Sequence, residues 1–170
     1  MAVSEERIDE LLEIMLDNAD ENGWCHVPEG LSEEEQDEIS KRLAIITMQD
    51  RIEDILEGIL GVMKYMENVR EYLGEYETMD KIKIKDGLNT IKEDAQGLLM
   101  DLYSDDIIKD FFRIEMIDDE NIDSSQTIKV KEGLEKLAKN EFKEELEKVK
   151  TYCMTIIEMS DTVVAELDER

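Results

Sequence analysis

Between residues 45 and 73, apolar side chains recur in an unbroken 3-4 rhythm: Ile45, Met48, Ile52, Ile55, Ile59, Val62, Met66, Val69 and Leu73. This period predicts one helix about eight turns long, because a strand would divide the set between its two faces. A helix of that length needs partners to cover its seam, so the rest of the chain has to supply further helices. One Pro and eight Gly are few breaks for 170 residues, which suits long helices better than a strand-rich fold.

Capping signals divide the chain. Ser4 reads as the N-cap of a first helix over 4–18, with Ile8, Leu11, Leu12, Met15 and Leu16 on one face. A loop over 20–31 contains Gly23, Pro28 and Gly30, and Trp24 and Val27 are expected to anchor it. Ser32-Glu33-Glu34-Glu35 is a capping box that opens the long helix, which is expected to run to about Leu73 and end at Gly74. The next helix starts at Thr78 or Asp80 and reaches about 103; Gly87 and Gly97 inside it mark either close packing or a break.

Ser104 is expected to cap a shorter helix over 105–116 that buries Ile107, Ile108, Phe111, Phe112 and Ile114. Residues 118–127 read as an acidic loop. A last helix over 128–168 carries a second seam of Leu146, Val149, Cys153, Ile156, Ser160, Val163 and Leu167. The Ser160 hydroxyl is expected to bond back to a carbonyl of its own helix. The expected architecture is all-α: an antiparallel helical bundle of three long and two short helices, in a single domain over 1–170.

The net charge is −26, from 46 acidic and 20 basic residues. That balance disfavours direct binding of nucleic acid or of an anionic membrane, and permits divalent cations, basic protein surfaces or mimicry of nucleic acid beside the plain reading of a solubilising surface. The sequence has no run of eighteen apolar residues, and the start Met-Ala-Val-Ser-Glu-Glu lacks the pattern of a secretory leader. Cys25 and Cys153 are isolated thiols, so the cytoplasm is the expected compartment.

The long helix carries the candidate site. At about 100° per residue, Asp50, Asp54 and Glu57 fall on the side away from the seam, with Asp50 and Asp54 one turn apart. Like charges at that spacing repel; a divalent metal ion bound by Asp50 and Asp54 would relieve the repulsion, and Arg51 and Lys64 could also offset it. The competing reading is a solvated helix face, since acid runs are common in chains this charged. Gln49 lies about 60° from the seam centre and is expected to border the core, hydrogen-bonding across two helices or ordering a water beside an acidic partner site. Cys25-His26 lacks the further ligands a zinc site needs, and no phosphate loop or nucleophile elbow is present.

Residues 43–54 read Leu-Ala-Ile-Ile-Thr-Met-Gln-Asp-Arg-Ile-Glu-Asp. This resembles the signature of PhoU-like phosphate-transport regulators, Leu-x-Ile-x-x-x-Leu-Glu-Arg-Ile-Gly-Asp, with Asp50, Arg51, Ile52 and Asp54 matching in order. Arg7-Ile8-Asp9-Glu10-Leu11 and Pro28 resemble the elements that precede the motif. The resemblance covers about fifty residues and implies a metal-binding acid pair, which here points to Asp50 and Asp54. The family's second repeat is reduced to Ile156-Ile157-Glu158-Met159-Ser160-Asp161, with one acid of the pair. Gln49-Asp50 is also similar to the Gln-Asp helix of CheZ-like phosphatases acting on response regulators, which implies that Gln49 positions water and Asp50 meets a basic residue of the regulator.

The expected function is that of an acidic regulatory or adaptor protein acting by protein–protein binding. Its partner presents a basic surface to Gln49, Asp50, Asp54 and Glu57, and the long seams also allow a homodimer. The alternatives are a CheZ-like phosphatase and a nucleic-acid-mimicking inhibitor.

Overall fold

The computed structural model describes residues 4–21, 28–114 and 124–169. All regular structure among them is helical: α1 (Glu5–Asp17), α2 (Glu33–Glu71), a 3-10 turn (Leu73–Glu75), α3 (Thr78–Leu102), α4 (Ile107–Asp110), α5 (Ser124–Asn140) and α6 (Lys143–Glu169). The expected anchors Trp24 and Val27, the Cys25-His26 pair, and residues 118–123 of the acidic loop lie outside the described residues. Contacts divide the chain into two compact units, Met1–Gln49 and Asp50–Arg170, and α2 runs through the division as one helix.

In the first unit, α1 packs on the opening turns of α2. Ile8, Leu11, Leu12, Met15 and Ile39 form a buried cluster, with Leu31 and Leu43 packed against it. Burying such a side chain is worth about 1.5–3 kcal/mol. The Ser4 hydroxyl accepts from the Arg7 N–H at 3.3 Å and caps α1. The capping box of α2 forms in both directions. The Glu35 carboxylate accepts from the Ser32 N–H at 2.9 Å, and the Ser32 hydroxyl accepts from the Glu35 N–H at 3.2 Å. Arg7 to Glu35 at 3.6 Å, and Arg42 to Glu5 and Asp9 at 3.8 and 4.0 Å, add exposed ion pairs between the two helices.

In the second unit, α3 and α6 lie side by side with α2 along them. Every member of the α6 seam is buried, from Leu146 to Leu167. Arg70 of α2 makes a two-pronged bond to Glu166 of α6 at 3.0 and 2.8 Å. Lys92 and Lys85 of α3 pair with Asp161 (2.6 Å) and Asp168 of α6. Phe111 and Phe112 meet edge to face with ring centres 4.9 Å apart, and Phe112 lies 6.4 Å from Phe142.

Several expectations need correction. The last helix is two, because the chain breaks at Glu141 and Phe142. The Glu141 and Phe142 N–H groups both return to the Leu137 carbonyl at 2.8 and 3.3 Å, and Phe142 turns inward next to Phe112. The short helix is one turn rather than three. Its cap is Asp106, which accepts from the Lys109 N–H, while Ser104 accepts from the Asp106 N–H. Arg113, at φ 56°, ends that segment by turning the chain left-handed. Gly74 sits in the 3-10 turn without a positive φ; the Tyr72 N–H still reaches the Asn68 carbonyl of α2 at 3.3 Å, and the Glu75 N–H closes the tighter turn on the Tyr72 carbonyl at 3.0 Å. Gly87 and Gly97 mark neither a break nor close packing: α3 is continuous, and a Cβ at either would meet nothing within 4 Å.

Candidate functional site

Asp50, Asp54 and Glu57 are all exposed on α2. Asp50 and Glu57 make neither a side-chain hydrogen bond nor an ion pair among the described residues. Asp54 acts electrostatically on Arg51. Gln49 is exposed as well, which corrects its expected place at the core edge, and its amide makes no bond to another helix among the described residues. Among the described residues no group of three or more His, Cys, Asp or Glu is placed to hold a metal ion. Asp50 and Asp54 thus stand as a pair of carboxylates one turn apart, open to whatever approaches α2.

The α2 seam is not uniformly covered. Ile45, at its start in the first unit, is half-buried; Met48, Ile52, Ile59, Met66, Val69 and Leu73 are buried, but in the second unit Ile55 and Val62 are only half-buried. The cause is an open groove of about 300 Å³ between α2 and α3, with α6 beneath. Its floor is Ile59, Ala95, Cys153 and Ile156, and its walls are Ile55 and Val62 on one side, Ile91 and Leu98 on the other. Gly58 lies in the α2 wall, and a Cβ there would meet nothing within 4 Å. Burial among these apolar groups pushes the Cys153 thiol up to about 11.

Acidic groups border this groove. Asp94 lines its α3 side, and Asp101 follows two turns later. On α2, helical geometry places Asp54 next outward from Arg51 and Gly58, with Asp50 and Glu57 beyond it. The one cation in the lining, Arg51, has its Nε committed to the Phe111 carbonyl at 3.2 Å. Partial burial lowers the Arg51 guanidinium from its ordinary range and the charge of Arg113 adds to this, whereas Asp101 and Asp54 oppose it. Motif reading missed Gly58, Asp94 and Asp101; Gly58 and Gly61 in mid-helix were the available signal, since glycine there costs about 1 kcal/mol against Ala.

A second cavity of about 410 Å³ lies where α5 ends and α6 begins. Lys139, Lys143 and Lys150 face Asp105, Glu135 and Glu147 around it, so its charges balance. Lys150 is already held, 3.0 Å from Glu147 and 4.7 Å over the Tyr103 ring.

No family model, curated protein or solved structure matches the chain. Among the described residues, no helix is long and apolar enough to cross a membrane.

Proposed function

We propose that this chain is an acidic regulatory or adaptor protein that works by binding, in the cytoplasm, a partner with a basic surface at the α2 face around Asp50, Asp54 and Glu57. The observation that carries the reading is that these carboxylates are exposed and, for Asp50 and Glu57, unpaired among the described residues. Elsewhere on the helices, carboxylates such as Glu166, Asp161 and Asp106 are neutralised by Arg70, Lys92 and Lys131. A carboxylate row with unpaired members on a stiff helix attracts cations over roughly a Debye length, about 8 Å at physiological salt.

The PhoU-like resemblance supports a regulatory role, and within it a divalent ion held by Asp50 and Asp54 would be secondary to the protein contact. The CheZ-like reading asks for Gln49 in a cleft where water can be positioned. Gln49 is exposed on another flank of α2 from the apolar groove, which favours the binding reading.

The test is capture from an extract of the source cell, with the full chain and an Asp50→Asn/Asp54→Asn/Glu57→Gln variant side by side. The reading expects a basic protein retained by the first and lost, at least tenfold, by the second. Identical sets of retained proteins would overturn it.

A further inference from the structure

The groove between α2 and α3 is apolar inside and acidic at its edge, a combination that a solvated face does not need. Three helices of the second unit bury their seams on one another, yet Ile55, Val62, Ile91 and Leu98 stay partly open along the groove. From Arg51 to Val62 it spans three turns of α2, about 16 Å at 1.5 Å per residue. Gly58 in its wall and Gly61 just outside it leave α2 without side chains there, and a Cβ at either meets nothing within 4 Å. A helix laid against that stretch can approach closely and set apolar side chains at i, i+3, i+4 and i+7 into the opening.

The rim selects the charge of that helix. Asp54 on one side and Asp94 on the other are exposed, Asp101 is half-buried two turns beyond Asp94, and Asp50 and Glu57 extend the acidic side along α2. Against these stands Arg51, whose Nε is already bonded to Phe111. The lysines of α2 and α3 nearest in sequence do not offset the rim. Lys64 shares the flank of Glu57, two turns further along α2, and offsets that end of the acidic side rather than Asp54, Asp94 or Asp101, and Lys92 is paired with Asp161 of α6.

We propose that the groove between α2 and α3 is the docking site for an amphipathic helix of a partner protein, apolar along one stripe and rich in Lys or Arg beside it. This rests on the acidic-face reading above and specifies the partner's chemistry. The apolar stripe completes the cover of the α2 seam, and the flanking cations meet the carboxylate rims.

The experiment uses the full chain and two labelled peptides of identical Leu/Lys composition and about 18 residues. One has Leu spaced to form a single helical stripe; in the other the same residues are shuffled so that no stripe forms. Binding is read by fluorescence anisotropy at physiological salt, and the oligomeric state by sedimentation. The striped peptide is expected to bind at least tenfold more tightly than its isomer. Gly58→Leu, which fills the groove, is expected to weaken the striped peptide at least tenfold while keeping or raising the thermal midpoint, since Leu favours helix over Gly. Asp54→Asn/Asp94→Asn is expected to weaken both peptides.

Equal binding of the two peptides with Gly58→Leu silent would overturn the groove and leave the acidic-face reading standing. Failure of both peptides to bind would overturn both. Self-association of the free chain that Gly58→Leu abolishes would assign the groove to a second copy and overturn the partner-helix proposal.

Discussion

The Ser160 hydroxyl donates to the Met66 sulfur at 3.5 Å, so the one polar side chain in the buried α6 seam is satisfied by a thioether on α2. The expected bond back to a carbonyl of its own helix is replaced by this contact between helices. A thioether is a weak acceptor. Ser160→Ala should therefore cost little, within about 1 kcal/mol, whereas Met66→Ala should cost about 2–5 kcal/mol through the cavity it leaves. Denaturant titration of both variants checks this; a larger loss for Ser160→Ala than for Met66→Ala would show that the hydroxyl, not the packing, carries the contact.

Ile52→Asp should unfold the second unit. Ile52 is 3 % exposed, and the adjacent guanidinium of Arg51 is engaged at Phe111. A carboxylate placed there is buried without a partner, at a cost of several kcal/mol. Circular dichroism during a thermal ramp gives the answer, and a midpoint within a few degrees of the parent would mean that this face is not core.

The capping box gives a graded series. Ser32→Ala should destabilise the start of α2 by about 1 kcal/mol and Ser32→Gly by only a few tenths, because Gly leaves the backbone free to be capped by water. The ranking is read from hydrogen exchange at the opening amides of α2. The reverse ranking would count against the cap.

Asp106 supplies the pH dependence. The hydrogen bond from Lys131 at 2.5 Å holds its carboxyl below the usual carboxylate range, and the Lys109 N–H adds to this. Its folded pKa is thus depressed. The stabilisation is present above the unfolded value of about 3.9 and is lost as pH falls through the lower folded value. The thermal midpoint of Asp106→Asn should lie below that of the parent at neutral pH, with the gap closing under about pH 4. A gap independent of pH would contradict the pairing.

Cys153 should be inert in the folded protein. Its thiol sits in the groove floor at 1 % exposure with its pKa raised to about 11. The thiolate is the reactive form, so iodoacetamide at pH 8 should modify Cys153 only as fast as the helices open. Peptide mass mapping separates it from Cys25, and rapid labelling of Cys153 without denaturant would sink the prediction.

The parts legible in the sequence are those set by local chemistry. The Ser32-Glu35 box, the Ser4 cap and the α6 seam follow from residue type and spacing, and the structure has all three. The break between α5 and α6 was not legible, because Leu134, Ala138, Phe142 and Leu146 keep the same register on both sides of it. Periodicity reports which face is apolar, not whether the axis bends. Residues 105–114 follow the same logic: Ile107, Ile108, Phe111 and Phe112 fit a helix, but the chain turns left-handed at Arg113, which apolar spacing does not encode. The acidic row on α2 was visible in the sequence. The groove beside it was not, because half-burial of Ile55 and Val62 reflects how closely α3 approaches, and no one-helix pattern encodes that distance.

The most direct measurement of the central claim is an NMR titration of the ¹⁵N-labelled full chain with the striped Leu/Lys peptide. Glycine amides resolve well and sample separate parts of the fold. The account predicts that Gly58, Gly61 and Gly97, beside the groove, shift together and saturably, while Gly30 and Gly133 stay in place. Shifts spread evenly over all of them, or centred on Gly133, would contradict it.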